Sequence, residues 1–211
     1  MNKLVVAIDL QNDFIDGSLG TKEAQAIIPT VCETLDSYIK DKDVHRIIFT
    51  MDTHFNKHEY PYSHPEYLNT LEGVKLPIEH CIAGTKGIQI NKDVCDVIYN
   101  NAENIQNSKI IIEHINKSTF SCNWYKYGSD NCCYYDFDST NFDSKCASAN
   151  CEIIIFGLCT DICVISNALA MRSAFPNIPI KCIAKCCAGT TPENHKSALD
   201  IMKSCQIDII E

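Results

Sequence analysis

Short apolar runs alternate with longer segments of helical periodicity along most of this 211-residue chain. The apolar runs have the length of buried strands, and they are Lys3–Ile8, His45–Thr50, Lys109–Glu113, Glu152–Phe156, Ile180–Ala184 and Ile207–Ile210. The segments with helical spacing are Thr21–Lys40, Asn91–Asn104, Asp161–Ala174 and Pro192–Cys205. Because strands joined by right-handed crossovers lie parallel, this alternation predicts a three-layer α/β/α fold with a mostly parallel central sheet of about six strands.

The domain organisation is predicted to be simple. The chain is long enough for one well-buried core, and no Pro/Gly/Ser-rich linker divides it, so we expect a single domain over residues 1–211. Residues 118–149 depart from the alternation, being rich in aromatic residues and cysteine. We expect this insertion to form a lid or an oligomer contact, because long loops in compact domains are usually functional; a solvated excursion without a role is the alternative.

Composition excludes several classes of partner. The net charge of −9 argues against nucleic acid and anionic membranes, which are bound through clustered Lys and Arg, and favours a small-molecule partner. No apolar run approaches the roughly 20 residues that span a bilayer. The first residues show no secretory leader, so a cytoplasmic location is expected. Fourteen cysteines without paired Cys-x2-Cys spacing indicate reduced thiols rather than a disulfide scaffold or a zinc ribbon.

Polar residues follow four of the apolar runs. Asp9 ends the first run, Asp52 and His54 follow the second, Lys117 follows the third, and residues 157–163 follow the fourth. In open α/β sheets, ligands bind outside the carboxyl ends of the strands. The sequence therefore predicts that these groups converge on one edge of the sheet as a functional site.

One cysteine of this edge is a candidate nucleophile. Cys163 is predicted to lie in the first turn of a helix with Thr160 as its N-cap, where the helix dipole stabilises a thiolate and backbone N–H groups can hold an oxyanion. Taken alone, such a cysteine is more often structural. Asp9 is costly as an unpaired core residue, and Lys117 would supply the opposite charge and lower the thiol pKa. Together they form a base, a cation and a nucleophile.

A metal site is predicted beside this group. Asp52 and His54 stand two residues apart just beyond the second run, and His80 precedes a Gly-containing turn. Carboxylate and imidazole ligands suit Zn, Fe or Mn.

Three motifs resemble those of the isochorismatase-like cysteine hydrolases, with nicotinamidases as the most similar branch. They are Ala-Ile-Asp-Leu-Gln-Asn-Asp-Phe at 7–14, Asn-Lys-Ser-Thr-Phe-Ser at 116–121, and Gly-x-x-Thr-Asp-Ile-Cys-Val at 157–164. The resemblance implies that Asp9 is the base, that Lys117 orients and polarises, and that Cys163 attacks to form a thioester. It further implies a cis peptide bond between Leu158 and Cys159, with the N–H groups of Cys159 and Cys163 directed at the oxyanion.

The same resemblance implies a divalent metal, zinc in the first place and iron or manganese otherwise, held by Asp52, His54, Glu66 and His80. His58 and His64 compete with Glu66 for the variable ligand position. Relatives hold the substrate ring between a Phe, here Phe14, and an aromatic residue before the last metal His. This chain has Leu76-Pro77-Ile78 in that place, so Trp124 or a tyrosine of the insertion is the expected replacement.

The predicted function is metal-dependent hydrolysis of a small amide, most simply nicotinamide to nicotinate and ammonia. A related amide is the alternative within the class. From another class, a catalytically silent module that binds a partner through its cysteine-rich loop stays open, because one fold hosts unrelated functions. By resemblance we also expect a homo-oligomer.

Overall fold

The computed structural model describes residues 2–54, 78–122, 124 and 151–211. Within these residues, six strands form one sheet in which every neighbouring pair is parallel. The strands are β1 (Asn2–Ile8), β2 (Val44–Asp52), β3 (Ile111–Lys117), β4 (Cys151–Leu158), β5 (Ile180–Ala188) and β6 (Asp208–Ile210). Their spatial order is β3-β2-β1-β4-β5-β6.

Helices cover both faces of the sheet, which confirms the predicted three-layer α/β/α fold. They are α1 (Asn12–Ile15), α2 (Lys22–Lys40), α3 (Lys92–Asn100), α4 (Ala102–Ser108), α5 (Ile165–Ala174) and α6 (Pro192–Ser204), with a π-helical turn at Thr160–Val164 leading into α5. Helix α2 packs against α3 and α4, whereas α5 packs against α6. No helix within the described residues is both long and apolar enough to span a membrane.

The two central strands form the middle of the core. All of β4 and residues 4–8 of β1 are buried, as expected for parallel strands covered on both faces. The order of the strands reverses between β1 and β4, because the chain runs outward in one direction from β1 to β3 and in the other from β4 to β6. Such a reversal opens a crevice at the carboxyl ends of the two strands. The fold therefore places a crevice beside Asp9 and the π-helical turn.

Several predicted elements have other bounds in the structure, and two of the differences concern β3 and the helix that follows β2. β3 was expected at Lys109–Glu113 but runs to Lys117, because an edge strand alternates buried residues such as Ile115 with exposed ones such as Asn116 and so lacks a continuous apolar run. The helix predicted over Asn91–Asn104 is interrupted at Asn101, which serves as the C-cap of α3 and the N-cap of α4. Lys117 is therefore the last residue of a strand and not part of the loop that follows.

Two helix starts follow the expected rules. The Thr21 hydroxyl accepts a hydrogen bond from the Ala24 N–H at the start of α2, and the Thr191 hydroxyl accepts one from the Asn194 N–H at the start of α6. Pro192 occupies the first position of α6, where its missing N–H costs nothing. Each cap satisfies a backbone N–H group in the first turn of its helix.

Candidate active site

Strand register brings the predicted polar groups to one edge. Ile8 of β1 is opposite Thr50 on one side and Gly157 on the other. Asp52 is the register partner of Lys117 at the end of the β2–β3 pair. Parallel pairing therefore aligns the carboxyl ends of four strands, and the residues that end them face one crevice.

Gly157 allows the end of β4 to lie very close to the end of β1. Its φ of 132° lies in a region that side-chain-bearing residues rarely adopt, and a Cβ atom there would lie 2.0 Å from the Ile8 carbonyl oxygen. Only glycine fits such a position without moving one strand away from its neighbour. The end of β4 is thus held directly against the end of β1, one residue before Asp9.

Asp9, Lys117 and Cys163 form a buried group in the crevice. The Lys117 Nζ atom lies 2.7 Å from Asp9 Oδ2 and 3.6 Å from Cys163 Sγ. The Thr50 hydroxyl donates to Asp9 Oδ1 at 2.7 Å. Asp9 also has a φ of 50°, an uncommon conformation for a residue other than glycine and one that clusters at functional sites.

Electrostatics in this group differ from the sequence-based expectation for the thiol. Burial and the Asp9 carboxylate raise the pKa of Cys163 well above its ordinary value, against the lowering effect of Lys117. Burial also raises the pKa of Asp9, and the Lys117 ammonium opposes it. For Lys117, burial is outweighed by the negative groups around it, so its pKa is raised. The raised pKa of Cys163 disfavours the preformed thiolate that the helix N-terminus suggested.

The turn that carries Cys163 also differs from a simple helix start. Thr160 was predicted as the N-cap, but its hydroxyl hydrogen-bonds with His195 Nδ1 at 2.8 Å, and the first helical turn is a π-turn preceded by Cys159. Single π-helical turns occur frequently at functional sites. The peptide bond between Leu158 and Cys159 is cis. Leu158 is fully buried, and Cys159, the residue before the π-helical turn, is partly buried.

A second cluster adjoins the first. One carboxylate oxygen of Asp52 lies 3.2 Å from His54 Nε2 and 3.3 Å from His80 Nε2, and the three side chains can offer ligand atoms that lie within 4.8 Å of one another. The other Asp52 oxygen lies 3.8 Å from Lys117 Nζ. Burial opposes ionisation of Asp52, but hydrogen bonds from His54 and His80 and the charge of Lys117 hold its pKa far below the usual range.

The donor set of this cluster fits a divalent metal ion. His80 Nδ1 lies 2.9 Å from the Ile78 carbonyl oxygen, which can only accept, so Nδ1 carries a proton and Nε2 is the ring nitrogen that a metal ion could engage. Such a backbone contact is the usual way in which a metal-binding histidine is oriented. An ionised carboxylate and two imidazoles are ligands for Zn, Fe or Mn. Asp52, His54 and His80 therefore could hold a metal within reach of the Lys117 side chain.

Residues of the first motif hold this cluster in place. Gln11 donates through Nε2 to the Asp52 and Ile88 carbonyl oxygens, each at 2.8 Å, and accepts from the Asp52 N–H at 2.7 Å. Asp13 Oδ2 accepts from the Cys81 N–H at 2.7 Å, next to His80. The motif thus supplies Asp9 and also clamps the backbone beside two members of the cluster.

The predicted substrate-binding residues are only partly described. The ring of Phe14 lies 5.7 Å from the ring of His80, a member of the second cluster. Trp124 is buried, and its Nε1 donates to Asn167 Oδ1 at 2.9 Å. Leu76 and the variable metal ligands Glu66, His58 and His64 lie outside the described residues, as do residues 125–150 of the predicted insertion.

Sequence reasoning missed three side chains that support the site. They are Thr50, which hydrogen-bonds Asp9; Gln11, which holds Asp52; and Asn167, which hydrogen-bonds the Cys163 carbonyl oxygen. For Asn167 a signal existed, because residues four apart share a helix face and this polar residue follows Cys163 by four. Thr50 offered no signal, since it ends an apolar run as many buried threonines do.

Comparisons with known proteins give relatives in sequence and in fold. No protein-family model matches the chain. The nicotinamidase of Saccharomyces cerevisiae is 25% identical over 186 residues, covering 80% of each protein. The crystal structure of nicotinamidase/pyrazinamidase PncA from Bacillus subtilis has a TM-score of 0.71 at 23% identity and covers 100% of both chains. The pyrazinamidase of Pyrococcus horikoshii in complex with zinc has a TM-score of 0.63 at 22% identity, over 100% of this chain and 99% of that one.

The solved structures share the fold, and the yeast relative adds sequence similarity over most of both chains. The chain therefore has the fold of these hydrolases and is similar in sequence to a nicotinamidase, as its three motifs led us to expect.

Proposed function

We propose that the protein is an amidohydrolase that converts nicotinamide and water to nicotinate and ammonia through a covalent intermediate on Cys163. The observation that carries the proposal is the buried Lys117 ammonium, which lies 2.7 Å from Asp9, 3.6 Å from the Cys163 sulfur and 3.8 Å from Asp52. It joins a nucleophile and its base to a cluster suited to a metal. The similarity to a yeast nicotinamidase supports nicotinamide as the first substrate to test.

The first half of the reaction acylates the cysteine. The Cys163 thiol transfers its proton to the Asp9 carboxylate as sulfur attacks the amide carbonyl carbon, and the carbonyl electron pair moves onto oxygen. Backbone N–H groups of Cys159 and Cys163 stabilise the resulting oxyanion. As the oxyanion collapses, the bond from carbon to nitrogen breaks, protonated Asp9 gives its proton to the leaving nitrogen, and ammonia departs. A thioester remains on Cys163.

The second half returns the enzyme to its starting state. The Asp9 carboxylate takes a proton from a water molecule whose oxygen attacks the thioester carbon. The carbon–sulfur bond breaks as the tetrahedral species collapses, nicotinic acid leaves, and the thiolate regains the proton held by Asp9. Lys117 stays protonated throughout, so its charge favours the carboxylate form of Asp9 before attack and the thiolate as it forms.

The Asp52, His54 and His80 cluster has a separate role in this proposal. These side chains hold a divalent cation, with zinc as the preferred ion because the ligand set is one carboxylate and two imidazoles. When bound, the cation would supply a Lewis-acidic partner for the ring nitrogen of a heteroaromatic amide. Phe14, next to His80, contributes an aromatic surface for the ring.

The test is ammonia release from nicotinamide by purified protein, with and without a chelator. A Cys163→Ala variant removes the nucleophile, and Cys95→Ala, which changes an exposed cysteine on α3, is the matched control. We expect release that chelation and Cys163→Ala abolish and that Cys95→Ala leaves intact. Undiminished release by Cys163→Ala would contradict the mechanism. No release by metal-loaded protein whose Cys163 still reacts with a haloacetamide would remove nicotinamide and favour a related amide.

A further inference from the structure

A single buried amide joins the helix of the nucleophile to the residues that follow β3. Asn167, on the first turn of α5, has no exposed surface. Outside α5, its hydrogen-bond partners are the post-strand residues, which we define as Phe120, Ser121, Cys122 and Trp124. These residues come directly after the strand that ends in Lys117.

The hydrogen bonds of Asn167 use both ends of its amide. Nδ2 donates to the carbonyl oxygens of Cys163 at 2.8 Å and Phe120 at 3.2 Å. Oδ1 accepts from the Cys122 N–H at 3.0 Å and from Trp124 Nε1 at 2.9 Å. Both donor hydrogens and both acceptor lone pairs are therefore engaged, which is the full capacity of an asparagine side chain. The partners also fix its orientation, because two N–H groups face one end and two carbonyl groups face the other.

These hydrogen bonds link the segment after Lys117 to the segment that carries Cys163. Phe120 is three residues beyond Lys117, and Asn167 is four residues beyond Cys163. One side chain thus ties together two backbone points that lie within four residues of the ammonium and of the sulfur. The side chains carried by the two joined segments, Lys117 and Cys163, approach to 3.6 Å. Displacements of about 1 Å in such a group can cost about a hundredfold in rate.

We propose that Asn167 is a positioning residue that sets the Lys117–Cys163 geometry and holds Trp124 at the site. The proposal rests on the proposed function, because it concerns the same nucleophile. Asn167 would act through the backbone of Cys163 and Phe120 and not through the substrate. Leucine at this position would keep the volume of the side chain but leave several buried polar groups without their partner. Aspartate would keep the acceptor for Cys122 and Trp124 but lose both donations.

Trp124 gives the test a built-in spectroscopic signal. The chain contains one tryptophan, so tryptophan emission reports the environment of Trp124 alone. We expect Asn167→Leu to shift that emission to longer wavelength and to make it easier to quench with acrylamide. Asn167→Asp should keep the wild-type emission, because the acceptor for Nε1 remains.

The matched control is Asn101→Leu. Asn101 is a buried asparagine whose Nδ2 donates to Asp36 Oδ1 and to the Val97 carbonyl oxygen, each at 2.9 Å, at the junction of α3 and α4. Replacing it also removes buried hydrogen bonds, but in the other helical layer. Asn101→Leu should therefore lose stability while kcat and Trp124 emission stay within about twofold of wild type.

The experiment measures kcat and KM with nicotinamide, the alkylation rate of Cys163, and Trp124 emission. We expect Asn167→Leu and Asn167→Asp to lower kcat by about tenfold or more relative to Asn101→Leu, with only the leucine variant changing the emission. The proposal is overturned if Asn167→Leu matches Asn101→Leu in kcat and emission, or if folded Asn167→Asp keeps wild-type kcat. The proposed function fails by itself if wild-type protein does not hydrolyse nicotinamide. In that case the positioning role is still tested, and it is overturned if Asn167→Leu has the wild-type rate of Cys163 alkylation and the wild-type Trp124 emission.

Discussion

Replacing Asp9 by asparagine should make Cys163 more reactive toward alkylation while it abolishes turnover. Asparagine keeps the shape of the side chain and removes its charge. In the wild-type protein, burial and the Asp9 carboxylate together raise the pKa of the thiol. Without the carboxylate, the Lys117 ammonium at 3.6 Å is left to stabilise the thiolate. The same change removes the base that the reaction needs.

The size of the effect follows from the two distances around Lys117. An ammonium and a thiolate 3.6 Å apart attract by about 5 kcal/mol at an effective dielectric constant of about 20. In the wild type, the Asp9 carboxylate at 2.7 Å from the same ammonium offsets this attraction. About 1.4 kcal/mol corresponds to a tenfold change in the ionisation constant. If a third of the attraction is recovered, the thiolate fraction at neutral pH rises by about tenfold or more.

The assay is iodoacetamide labelling followed by peptide mass spectrometry, which separates Cys163 from the other thirteen cysteines. Since the pKa of the wild-type thiol is raised, its labelling rate should still be increasing at alkaline pH, and in Asp9→Asn the increase should occur at lower pH. The double variant Asp9→Asn with Lys117→Met should lose the gain. Equal or slower labelling of Cys163 in folded Asp9→Asn would refute the electrostatic account of this group.

Further variants test the frame around the site. Gly157→Ala should destabilise the protein by about 3 kcal/mol or more in urea unfolding, because the new Cβ meets the Ile8 carbonyl oxygen at a positive φ; a loss below about 1 kcal/mol would contradict the close approach. His80→Ala should lower zinc affinity about tenfold or more by competitive chelation, since it removes a ligand whose tautomer is set by the backbone; unchanged affinity would remove it from the metal site. Gln11→Leu should weaken zinc binding about tenfold through the backbone of Asp52, and wild-type affinity would show that this clamp is dispensable.

The layers and the sheet edge could be predicted because each depends on a local pattern. Continuous apolar runs identified β1 and β4, since a strand buried on both faces has no polar alternation to break the run. Asp9 could be placed at the edge because it ends such a run. Strand β3 was misjudged because it lies at the edge of the sheet, where exposed residues such as His114 and Asn116 interrupt the apolar signal.

Features that depend on tertiary contacts could not be predicted. The thiol pKa of Cys163 is decided by burial and by Asp9, which lies more than 150 residues away in the chain, so a local argument from the helix N-terminus gave the wrong direction. The spacing predicts Thr160 as a helix cap, yet His195 in a later helix hydrogen-bonds with its hydroxyl. Both outcomes depend on which distant elements pack together.

The measurement that tests the central claim most directly is acid quenching of a single turnover, with metal-loaded protein in excess over nicotinamide, followed by mass spectrometry of the peptide that contains Cys163. The account predicts a transient nicotinoyl thioester on Cys163 that forms as ammonia is released and decays as nicotinate appears. Nicotinate production without any adduct on Cys163 at any time, together with undiminished turnover by Cys163→Ala, would contradict nucleophilic attack by this cysteine.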